Sequence, residues 1–476
     1  MASFYVKNFG CRAAQADGAA IEQQFRHLGL ETADSVEHAG IIVLNTCTVT
    51  ASADQDARSA IRRIHRDNPD CQIVVTGCYA QRAPDEIASL PGVHQVVGNS
   101  HKHRLAEIAL ADRPLRPSAS SEFISISNLQ SSPARLFVSD IFAHTELLAA
   151  PAFDAANDRT RPNLKVQDGC NNRCSFCVIP YVRGQSRSLP LEQVLQQVNM
   201  LVEAGYREVV ISGINLGRWG RDLNAIAKSH APRFEDLVRA ILAETSLEKL
   251  RISSVEPMDW SEELISMMAG SPRIAKHAHV PMQSGSDRIL RLMHRKYRPW
   301  HYREKIEQIR VAIPDAAIGA DVMTGFPGET DADFEETRQM IETLPFTYLH
   351  VFTYSPRPGT PAATTTNQVP VKVARERNRI LRQVADEKKR VFMKSFIGKL
   401  LQAITLNAMR AAAESDFTEA LTDNFLTLRV SGKHEPNHWI RATVTGCEDG
   451  TLVGVEDNKT LKDPEYYMPS FFTSSL

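Results

Sequence analysis

The chain has 476 residues, too many for one ordinary hydrophobic core, so we expect about two to four domains. Hydrophobic residues make up 43% and charged residues 23% of the sequence, as in ordinary globular proteins. The net charge of −1 excludes a global electrostatic signal for nucleic-acid binding, so such binding would need a local basic patch.

Export and membrane signals are missing from the sequence. The first residues, MASFYVKNFGC, lack the basic start and the apolar run of a signal peptide. No stretch approaches the roughly 18 uninterrupted apolar residues of a membrane span. We therefore expect a cytosolic protein without a membrane partner, in which thiols stay reduced. Its eight cysteines are too few for a disulfide scaffold and indicate metal binding or catalysis.

The first region, residues 1–112, alternates strand-like and helix-like segments. Amphipathic stretches separate short apolar runs at residues 4–6, 41–44, 73–75 and 96–97. This alternation predicts βαβ units around a parallel sheet. Residues 113–155 are rich in Ser, Pro and Ala, and we expect a connecting segment with little structure of its own.

The second region, residues 156–393, repeats the alternation over a longer stretch. Strand candidates begin near residues 164, 208, 249, 277, 317 and 348, with helical stretches between them. Six βα units predict a partial or complete βα barrel, whose active site would lie at the carboxyl ends of the strands. A basic helix at 372–394 closes this region. Residues 396–462 contain shorter strands and predict a small β domain.

Three cysteines of the first region follow predicted strands. Cys11, Cys47 and Cys78 each lie just past the carboxyl end of a parallel strand, the edge at which open α/β sheets collect ligands. A single buried cysteine is common in a protein core, but three at one edge are unlikely to be coincidental. Cys71 precedes its strand and Cys447 lies in the C-terminal region, so we exclude both.

Three further cysteines lie in the segment DGCNNRCSFC. Cys170, Cys174 and Cys177 follow the first strand of the second region, with gaps of three and then two residues. A structural zinc site normally takes four protein ligands, and no histidine lies nearby to complete the set. The three thiols fit a cubane iron–sulfur cluster with one open iron, where substrate or cofactor would bind, and zinc is the alternative.

The order of motifs resembles one enzyme family. The CxxxCxxC loop is typical of radical S-adenosylmethionine (SAM) enzymes, and the preceding three-cysteine region makes the chain similar to the methylthiotransferases of that superfamily. The resemblance covers almost the whole chain and rests on NTCTVT at 45, VVTGCYAQ at 74, ISGINLG at 211, RISSVEP at 251, VPMQSGSDRIL at 280, TGFPGET at 324 and HVFTYSPRPGT at 350. It implies an N-terminal methylthiotransferase domain, a radical SAM core and a TRAM-like RNA-binding β domain.

The resemblance also implies the cofactors, which are SAM and two [4Fe–4S] clusters. The radical SAM cluster would be held by Cys170, Cys174 and Cys177, and the auxiliary cluster by Cys11, Cys47 and Cys78. Contacts to SAM are expected from Ser212, Gly213, Glu256 and Gln283. The implied reaction takes a hydrogen atom from carbon 2 of an adenine and places a methylthio group there.

Within the family, the substrate differs between branches. The words TCTVT at 46, QDGCNN at 167 and RGQSRS at 183 look most like the branch that modifies N6-threonylcarbamoyladenosine (t6A) in tRNA. The alternatives are isopentenyladenosine in tRNA and an aspartate of a ribosomal protein; a zinc-containing RNA-binding protein is the alternative from another class. Two positions depart from the family pattern, Ala14 and Leu189.

The expected partners follow from the same resemblance. They are tRNA, bound at the adenosine 37 of its anticodon loop, and a protein that delivers electrons to a monomeric enzyme. Residues 288–305 mix basic and aromatic side chains, and the helix at 372–394 is strongly basic. Both segments suit phosphate contacts and base stacking, although a solvated helix face with ion pairs is an equally simple interpretation.

Overall fold

The computed structural model describes residues 3–111, 134–144, 147–148, 160–223, 231–407 and 416–457. The chain divides into two compact units, Met1–Lys389 and Arg390–Leu476. The first unit therefore contains both the predicted N-terminal domain and the predicted barrel. Within the described ranges, no helix combines the length and the apolar character that crossing a bilayer would require.

The N-terminal part of the first unit is a parallel sheet covered by helices. Its strands are β1 (Ser3–Asn8), β2 (Glu31–Thr32), β3 (Ile41–Thr46), β4 (Gln72–Gly77), β5 (Val93–Val97) and β6 (Arg135–Phe137). Its helices are α1 (Arg12–His27), α2 (Ala51–Asp67), α3 (Cys78–Arg82), α4 (Pro84–Ala88) and α5 (Leu105–Ala111). The strand order is β2-β1-β3-β4-β5-β6, and every residue of β3 is buried, as a central parallel strand requires.

The short strand β6 lies within the segment 113–155, for which we expected little structure. It pairs in parallel with β5, Gln95 opposite Arg135, and so extends the sheet by one strand. A strand of three residues carries no usable periodicity, which explains why the sequence did not indicate it. Most of the remaining residues of 113–155 lie outside the described ranges.

The second part of the first unit contains the predicted βα repeats. Its strands are β7 (Asn163–Asp168), β8 (Arg187–Ser188), β9 (Glu208–Gly213), β10 (Lys249–Ile252), β11 (His277–His279), β12 (Ala317–Thr324) and β13 (Tyr348–Thr353). Its helices are α6 (Ile179–Arg183), α7 (Leu191–Glu203), α8 (Phe234–Glu244), α9 (Glu262–Gly270), α10 (Asp287–Leu292), α11 (Pro299–Ala312), α12 (Asp331–Thr343) and α13 (Val371–Lys394).

These strands form a partial barrel. One sheet has the order β10-β9-β7-β8 and a second has the order β11-β12-β13. Bridges of Leu250 to Ile274 and of Ser254 to His279 join the two sheets at the β10–β11 boundary. The hydrophobic core lies between these strands and the outer helices, and α1 of the N-terminal part packs on β7. The carboxyl ends of six parallel strands therefore face one end of the barrel.

The second unit contains a closed β-barrel. Its strands are β14 (Leu400–Thr405), β15 (Phe417–Thr422), β16 (Thr427–Ser431), β17 (Trp439–Glu448) and β18 (Thr451–Glu456). They close in the order β14-β15-β16-β18-β17 around a small apolar core. The predicted fold class, an α/β chain with a parallel-sheet domain, a partial βα barrel and a small C-terminal β-barrel, is confirmed.

Candidate functional site

Three thiols meet at the carboxyl edge of the N-terminal sheet. Cys11 follows β1 and is the N-cap residue of α1, Cys47 directly follows β3, and Cys78 is the first residue of α3 after β4. Because β1, β3 and β4 are neighbours in the sheet, their carboxyl ends bring the three cysteines to one place. Burial, together with the charges of Cys78 and Cys11, raises the pKa of Cys47 to about 12. A cationic centre is needed to deprotonate such a thiol at neutral pH.

A glycine allows the loops after β1 and β3 to approach each other. Gly10 has a φ of 97°, in the left-handed region that other residues rarely adopt. A Cβ at this position would lie 2.6 Å from the Cβ and 2.9 Å from the Sγ of Cys47. Only glycine therefore fits between the two strand ends that carry Cys11 and Cys47.

The surroundings of Cys78 combine one polar donor with an apolar cover. The Nδ2 of Asn99 donates to the Sγ of Cys78 at 3.7 Å and to the carbonyl oxygen of Val182 at 2.7 Å. Val178 and Val182 of the α6 region pack against the same cysteine. An amide directed at a sulfur stabilises its negative charge, and the valines keep water away. Nothing in the sequence singled out Asn99.

The second set of thiols lies in the loop after β7. Cys170 directly follows Gly169, whose φ is 71°, and its backbone N–H donates to the carbonyl oxygen of Gly184 at 3.1 Å. The N–H of Cys177 donates to the carbonyl oxygen of Cys174 at 3.1 Å, which turns the loop back on itself. Burial raises the pKa of Cys177 to about 12, and the charges of Cys174 and Cys170 act in the same direction. The three sulfurs therefore share one site.

Side chains remote in sequence donate hydrogen bonds to these sulfurs. Arg295 is almost fully buried and its Nη1 donates to the Sγ of Cys174 at 3.3 Å, while Nη2 pairs with Glu256. The Nδ2 of Asn215 donates to the Sγ of Cys170 at 3.6 Å. Hydrogen bonds to ligand sulfurs are one of the means by which proteins set the potential of an iron–sulfur cluster. Sequence reasoning missed both residues as parts of the site.

The structure places the four expected SAM contacts at or just beyond the ends of β9, β10 and β11. Ser212 and Gly213 end β9, Glu256 follows β10 and Gln283 follows β11. Among the described residues, the Oγ of Ser212 and the Oε1 of Gln283 are buried without a hydrogen-bond partner. Buried polar atoms rarely stay unpaired, so these two suit a polar ligand. Glu256 instead already pairs with Arg295.

A small, open depression lies beside Cys174. It is lined by Asn172, Cys174, Arg218, Glu256, Met258, His294, Arg295, Lys296 and Tyr297. Arg218, Arg295 and Lys296 make part of its lining cationic. The second group of thiols therefore borders a shallow site with basic side chains.

The chemistry of the donors suits an iron–sulfur cluster. Within the described ranges, no group of three or more Cys, His, Asp or Glu side chains is arranged to hold a single metal ion. Iron–sulfur clusters are held by cysteine thiolates, and each of the two sites offers three of them.

A buried ionic network connects the two sets of thiols. Asp17 of α1 accepts from Lys102 at 2.9 Å, from Arg183 at 2.9 Å and from Lys165 of β7. Asp168, two residues before Cys170, accepts from Lys165 and Arg183, each at 2.9 Å. All five side chains are buried. The network joins the helix that starts after Cys11 to the strand that leads to Cys170, and so sets the distance between the two sites.

The network is also electropositive, because three cations face two carboxylates. The charges of Cys78 and Cys11 act on Arg183, whose pKa is raised well above its ordinary value despite burial. Burial alone would raise the pKa of Asp17, but Lys102, Lys165 and Arg183 outweigh it and hold that pKa well below its usual range. The excess positive charge suits anionic thiolates or an anionic cluster.

We expect the substitution Asp17→Asn to destabilise the first unit by about 3–5 kcal/mol, because it leaves buried cations without their shared carboxylate. Urea unfolding followed by fluorescence measures this free energy. The matched control is Asp331→Asn, whose side chain is 98% exposed and should change stability by less than about 1 kcal/mol. Equal effects of the two variants would contradict a stabilising role of the network.

The pH dependence of this difference follows from the lowered pKa of Asp17. A carboxyl group whose pKa is lower in the folded state stabilises the fold above the pKa of the unfolded chain, about 3.9. The difference between wild type and Asp17→Asn should therefore be full at pH 7 and shrink as the pH falls below about 4.

Many basic and aromatic residues of the two predicted RNA patches are buried or paired within the protein. In residues 288–305, Arg295, Tyr297 and Tyr302 are buried, whereas Trp300 is 55% exposed beside the ring of His301. In α13, several cations likewise make internal contacts, such as Arg377 with Glu329, Lys388 with the carbonyl oxygen of Leu344, and Arg379 with Glu376. The exposed Trp300 is the strongest remaining stacking candidate of the first patch.

Both departures from the family pattern lie in buried positions. The carbonyl oxygen of Ala14 accepts from the Nδ2 of Asn45 at 2.6 Å, and that amide also donates to Asn8. Leu189 is buried in the barrel core, and its N–H donates to the carbonyl oxygen of Val166. Neither position touches a cysteine sulfur through a hydrogen bond that the structure describes.

Comparison with protein families gives two matches. Residues 164–341 match the radical SAM superfamily, and residues 3–98 match the uncharacterized protein family UPF0004. The first range contains Cys170, Cys174 and Cys177, and the second contains Cys11, Cys47 and Cys78. The two sets of thiols therefore lie in two separately recognised sequence families.

Curated relatives cover almost the full chain. A protein of Bacillus subtilis named threonylcarbamoyladenosine tRNA methylthiotransferase MtaB is 36% identical over 435 residues, which are 91% of this chain and 92% of that protein. A protein of Novosphingobium aromaticivorans named tRNA-2-methylthio-N(6)-dimethylallyladenosine synthase is 33% identical over 84% of this chain and 86% of its own length. These two identities are close, so identity alone does not separate their two substrates.

A solved structure supports the fold. The radical SAM methyltransferase TsrM from Kitasatospora setae aligns with a TM-score of 0.52 at 16% identity, over 76% of this chain and 74% of that one. At this identity the likeness concerns the fold alone.

Proposed function

The chain belongs to the radical SAM tRNA methylthiotransferases, and we propose that it methylthiolates carbon 2 of t6A at position 37 of tRNA. The predictions of a transferase, of SAM and of two [4Fe–4S] clusters are confirmed by this membership. Membership in this enzyme family argues against the alternative interpretation as a zinc-containing RNA-binding protein. The product would be 2-methylthio-N6-threonylcarbamoyladenosine.

One observation carries the proposal. Two sets of three thiols lie at the carboxyl ends of parallel strands within one compact unit, with the buried Asp17 network between them. We propose that Cys170, Cys174 and Cys177 hold the radical SAM cluster and that Cys11, Cys47 and Cys78 hold the auxiliary one. When bound, these groups and SAM supply the one-electron chemistry and the sulfur that acid–base side chains cannot supply.

The chain's own side chains would hold the cysteine sulfurs in place and contact SAM. Arg295 and Asn215 donate to the sulfurs of Cys174 and Cys170, which fixes their orientation and stabilises their charge. Ser212 and Gln283 present unpaired buried oxygens at the same end of the barrel, and we propose that these contact SAM. The hydrogen bonds of Arg295 and Asn215 hold these two cysteine side chains in place.

The position of the target adenine in the anticodon loop makes it accessible to the enzyme. The anticodon loop is single-stranded, so its adenine can enter a pocket without the cost of opening a duplex. We propose that the exposed Trp300 patch and the closed β-barrel of residues 400–456 contact the RNA. We also propose a cytoplasmic, monomeric enzyme that receives its electrons from a separate reductant protein.

The substrate is tested by mass spectrometry of tRNA nucleosides from cells that lack this gene. We expect 2-methylthio-t6A to disappear while t6A accumulates and the methylthio-isopentenyl nucleoside stays unchanged. Reintroducing the wild-type gene should restore the product. Loss of the isopentenyl product alone would assign the chain to that branch. Unchanged tRNA nucleosides, together with loss of a methylthiolated aspartate in mass spectra of ribosomal proteins from the same cells, would assign it to the third.

A further inference from the structure

The inner face of the partial barrel carries an unusual polar group of side chains, which we call the histidine cluster: His277 and His279 of β11, Asp321 of β12, and Tyr348 and His350 of β13. Their positions share one face of the sheet, because His279, Gly319 and Tyr348 are register partners, as are Asp321 and His350. The alternate residues Ala278, Ala320 and Val322 pack into the core instead. Barrel interiors are usually filled with branched apolar residues, so this face needs an explanation.

The cluster is held together by direct contacts. The Nε2 of His277 lies 2.7 Å from the hydroxyl of Tyr348, and the Nε2 of His279 lies 3.4 Å from the Oδ1 of Asp321. The rings of His279 and His350 are 5.6 Å apart. Gly319 makes room for this arrangement, since a Cβ there would lie 2.0 Å from the Cζ of Tyr348. The side chains therefore form one connected polar surface.

This surface is reachable from solvent, and the charges of several arginines act on it. His350 is exposed and Asp321 is 29% exposed, so the cluster extends from the buried His277 to solvent. The charge of Arg12, at the start of α1, acts on both Tyr348 and His350. Deeper in the barrel, Arg251 and Arg161 share the single carboxylate of Glu208. Burial and the charges of Arg251, Arg12 and Arg161 hold the pKa of His277 well below its ordinary value.

The cluster lies near residues that adjoin both proposed sites. Arg12 directly follows Cys11 in the chain. On the other side, the carbonyl oxygen of Asp321 accepts from the N–H of Gln283 at 2.8 Å, and Gln283 is one of the proposed SAM contacts. In an adenine ring, N1 separates carbon 2 from carbon 6, so the substituent on the 6-amino group and the hydrogen on carbon 2 project in different directions. A base whose carbon 2 faces the cofactor site would therefore direct this substituent elsewhere in the barrel.

We propose that the histidine cluster and Arg12 bind the threonylcarbamoyl substituent of the target adenosine. Arg12 and the histidines face its carboxylate, and Asp321 faces its hydroxyl. This inference rests on the proposed function and names the residues that select the substrate. An isopentenyl group has no charge and no hydrogen-bonding atoms, so it would leave these polar side chains without partners. A site that forms hydrogen bonds with its substrate strongly rejects an analogue without hydrogen-bonding groups. An apolar pocket discriminates less strongly against a ligand that carries an extra group.

The test measures binding by the cluster-loaded enzyme under anaerobic conditions. Three anticodon stem-loop RNAs that differ only at position 37, carrying t6A, isopentenyladenosine or adenosine, are titrated by fluorescence anisotropy. We expect wild type to prefer the t6A stem-loop over the adenosine one by about tenfold or more. His350→Leu should reduce this preference to within about twofold without weakening binding of the adenosine stem-loop, and His350→Gln, which keeps a donor, should retain part of it.

The control variant is His27→Leu, an exposed histidine at the end of α1 that should keep the full preference. Melting temperatures show whether each variant is folded. Because His350 is exposed, we expect its substitutions to leave the fold intact. An unchanged preference in folded His350→Leu overturns the inference. If wild type methylthiolates the t6A stem-loop while His350→Leu keeps its preference, only this inference fails. If wild type methylthiolates only the isopentenyl stem-loop, the proposed function fails as well.

Discussion

The variant Cys174→Ala should release no 5′-deoxyadenosine above background when incubated with SAM and a reductant. Cys174 is one of the three proposed ligands of the cluster after β7, so its loss should prevent that cluster from assembling. Removal of Cys174 also leaves the buried guanidinium of Arg295 without its sulfur acceptor. The iron content of anaerobically purified protein should fall from about eight to about four per chain, because the N-terminal thiols are untouched.

This expectation is checked by iron analysis, electron paramagnetic resonance of the reduced protein and chromatography of the nucleoside product. Cys447→Ala is the matched control, since Cys447 lies in β17 of the second unit and belongs to neither set of thiols. It should keep all the iron and all the SAM cleavage. Release of 5′-deoxyadenosine by Cys174→Ala at the wild-type rate would show that the cluster ligands have been assigned wrongly.

The positions of the six cysteines could be predicted because strand ends are readable from sequence. The run Ile41–Thr46 is apolar enough to be identified as a buried strand, and parallel strands bring their carboxyl ends to one edge. The same reasoning excluded Cys71. That residue lies just before β4, at the opposite end of the strand from Cys78, and is buried in an apolar cluster. Strand direction alone therefore separated ligand candidates from a core cysteine.

The groups that surround the sulfurs could not be predicted in this way. Arg295 and Cys174 are 121 positions apart, and Lys165 and Asp17 are 148 positions apart, so each contact depends on how whole elements pack. Arg295 also lies in a segment rich in basic and aromatic residues, which we interpreted as an RNA patch. The sequence contains only a weaker signal of the buried ionic network. Lys165 and Asp168 are charged residues in a strand whose residues are all buried, and a buried charge needs a partner.

The histidine cluster shows a similar limit. The segments HAHV and YLHVFTY were identified as strands from their apolar and aromatic content, and β11 and β13 confirm them. Their alternation of His or Tyr with Ala, Leu or Val indicates two different faces, but not which face points into the barrel. That assignment required the register of β11 against β12 and of β12 against β13.

The variant Cys47→Ala should separate the two sets of thiols by function. Cys47 is 8% exposed in the N-terminal site and lies between Cys11 and Cys78 in sheet order, so its loss would remove one of the three proposed ligands there. The site at Cys170 to Cys177 keeps all of its thiols and their donors. We expect the variant to cleave SAM, to carry about four irons per chain, and to form no methylthiolated nucleoside.

The measurement is mass spectrometry of a t6A-containing stem-loop after reaction, with 5′-deoxyadenosine quantified in the same mixture. Cys71→Ala is the control because Cys71 is a buried thiol of the same sheet that lies outside both sites. It should keep both activities. Full methylthiolation by Cys47→Ala would remove the N-terminal thiols from the reaction. Loss of both 5′-deoxyadenosine and the methylthiolated nucleoside would instead mean that the two sites fail together. Such a joint failure is expected if both sites depend on the Asp17 network.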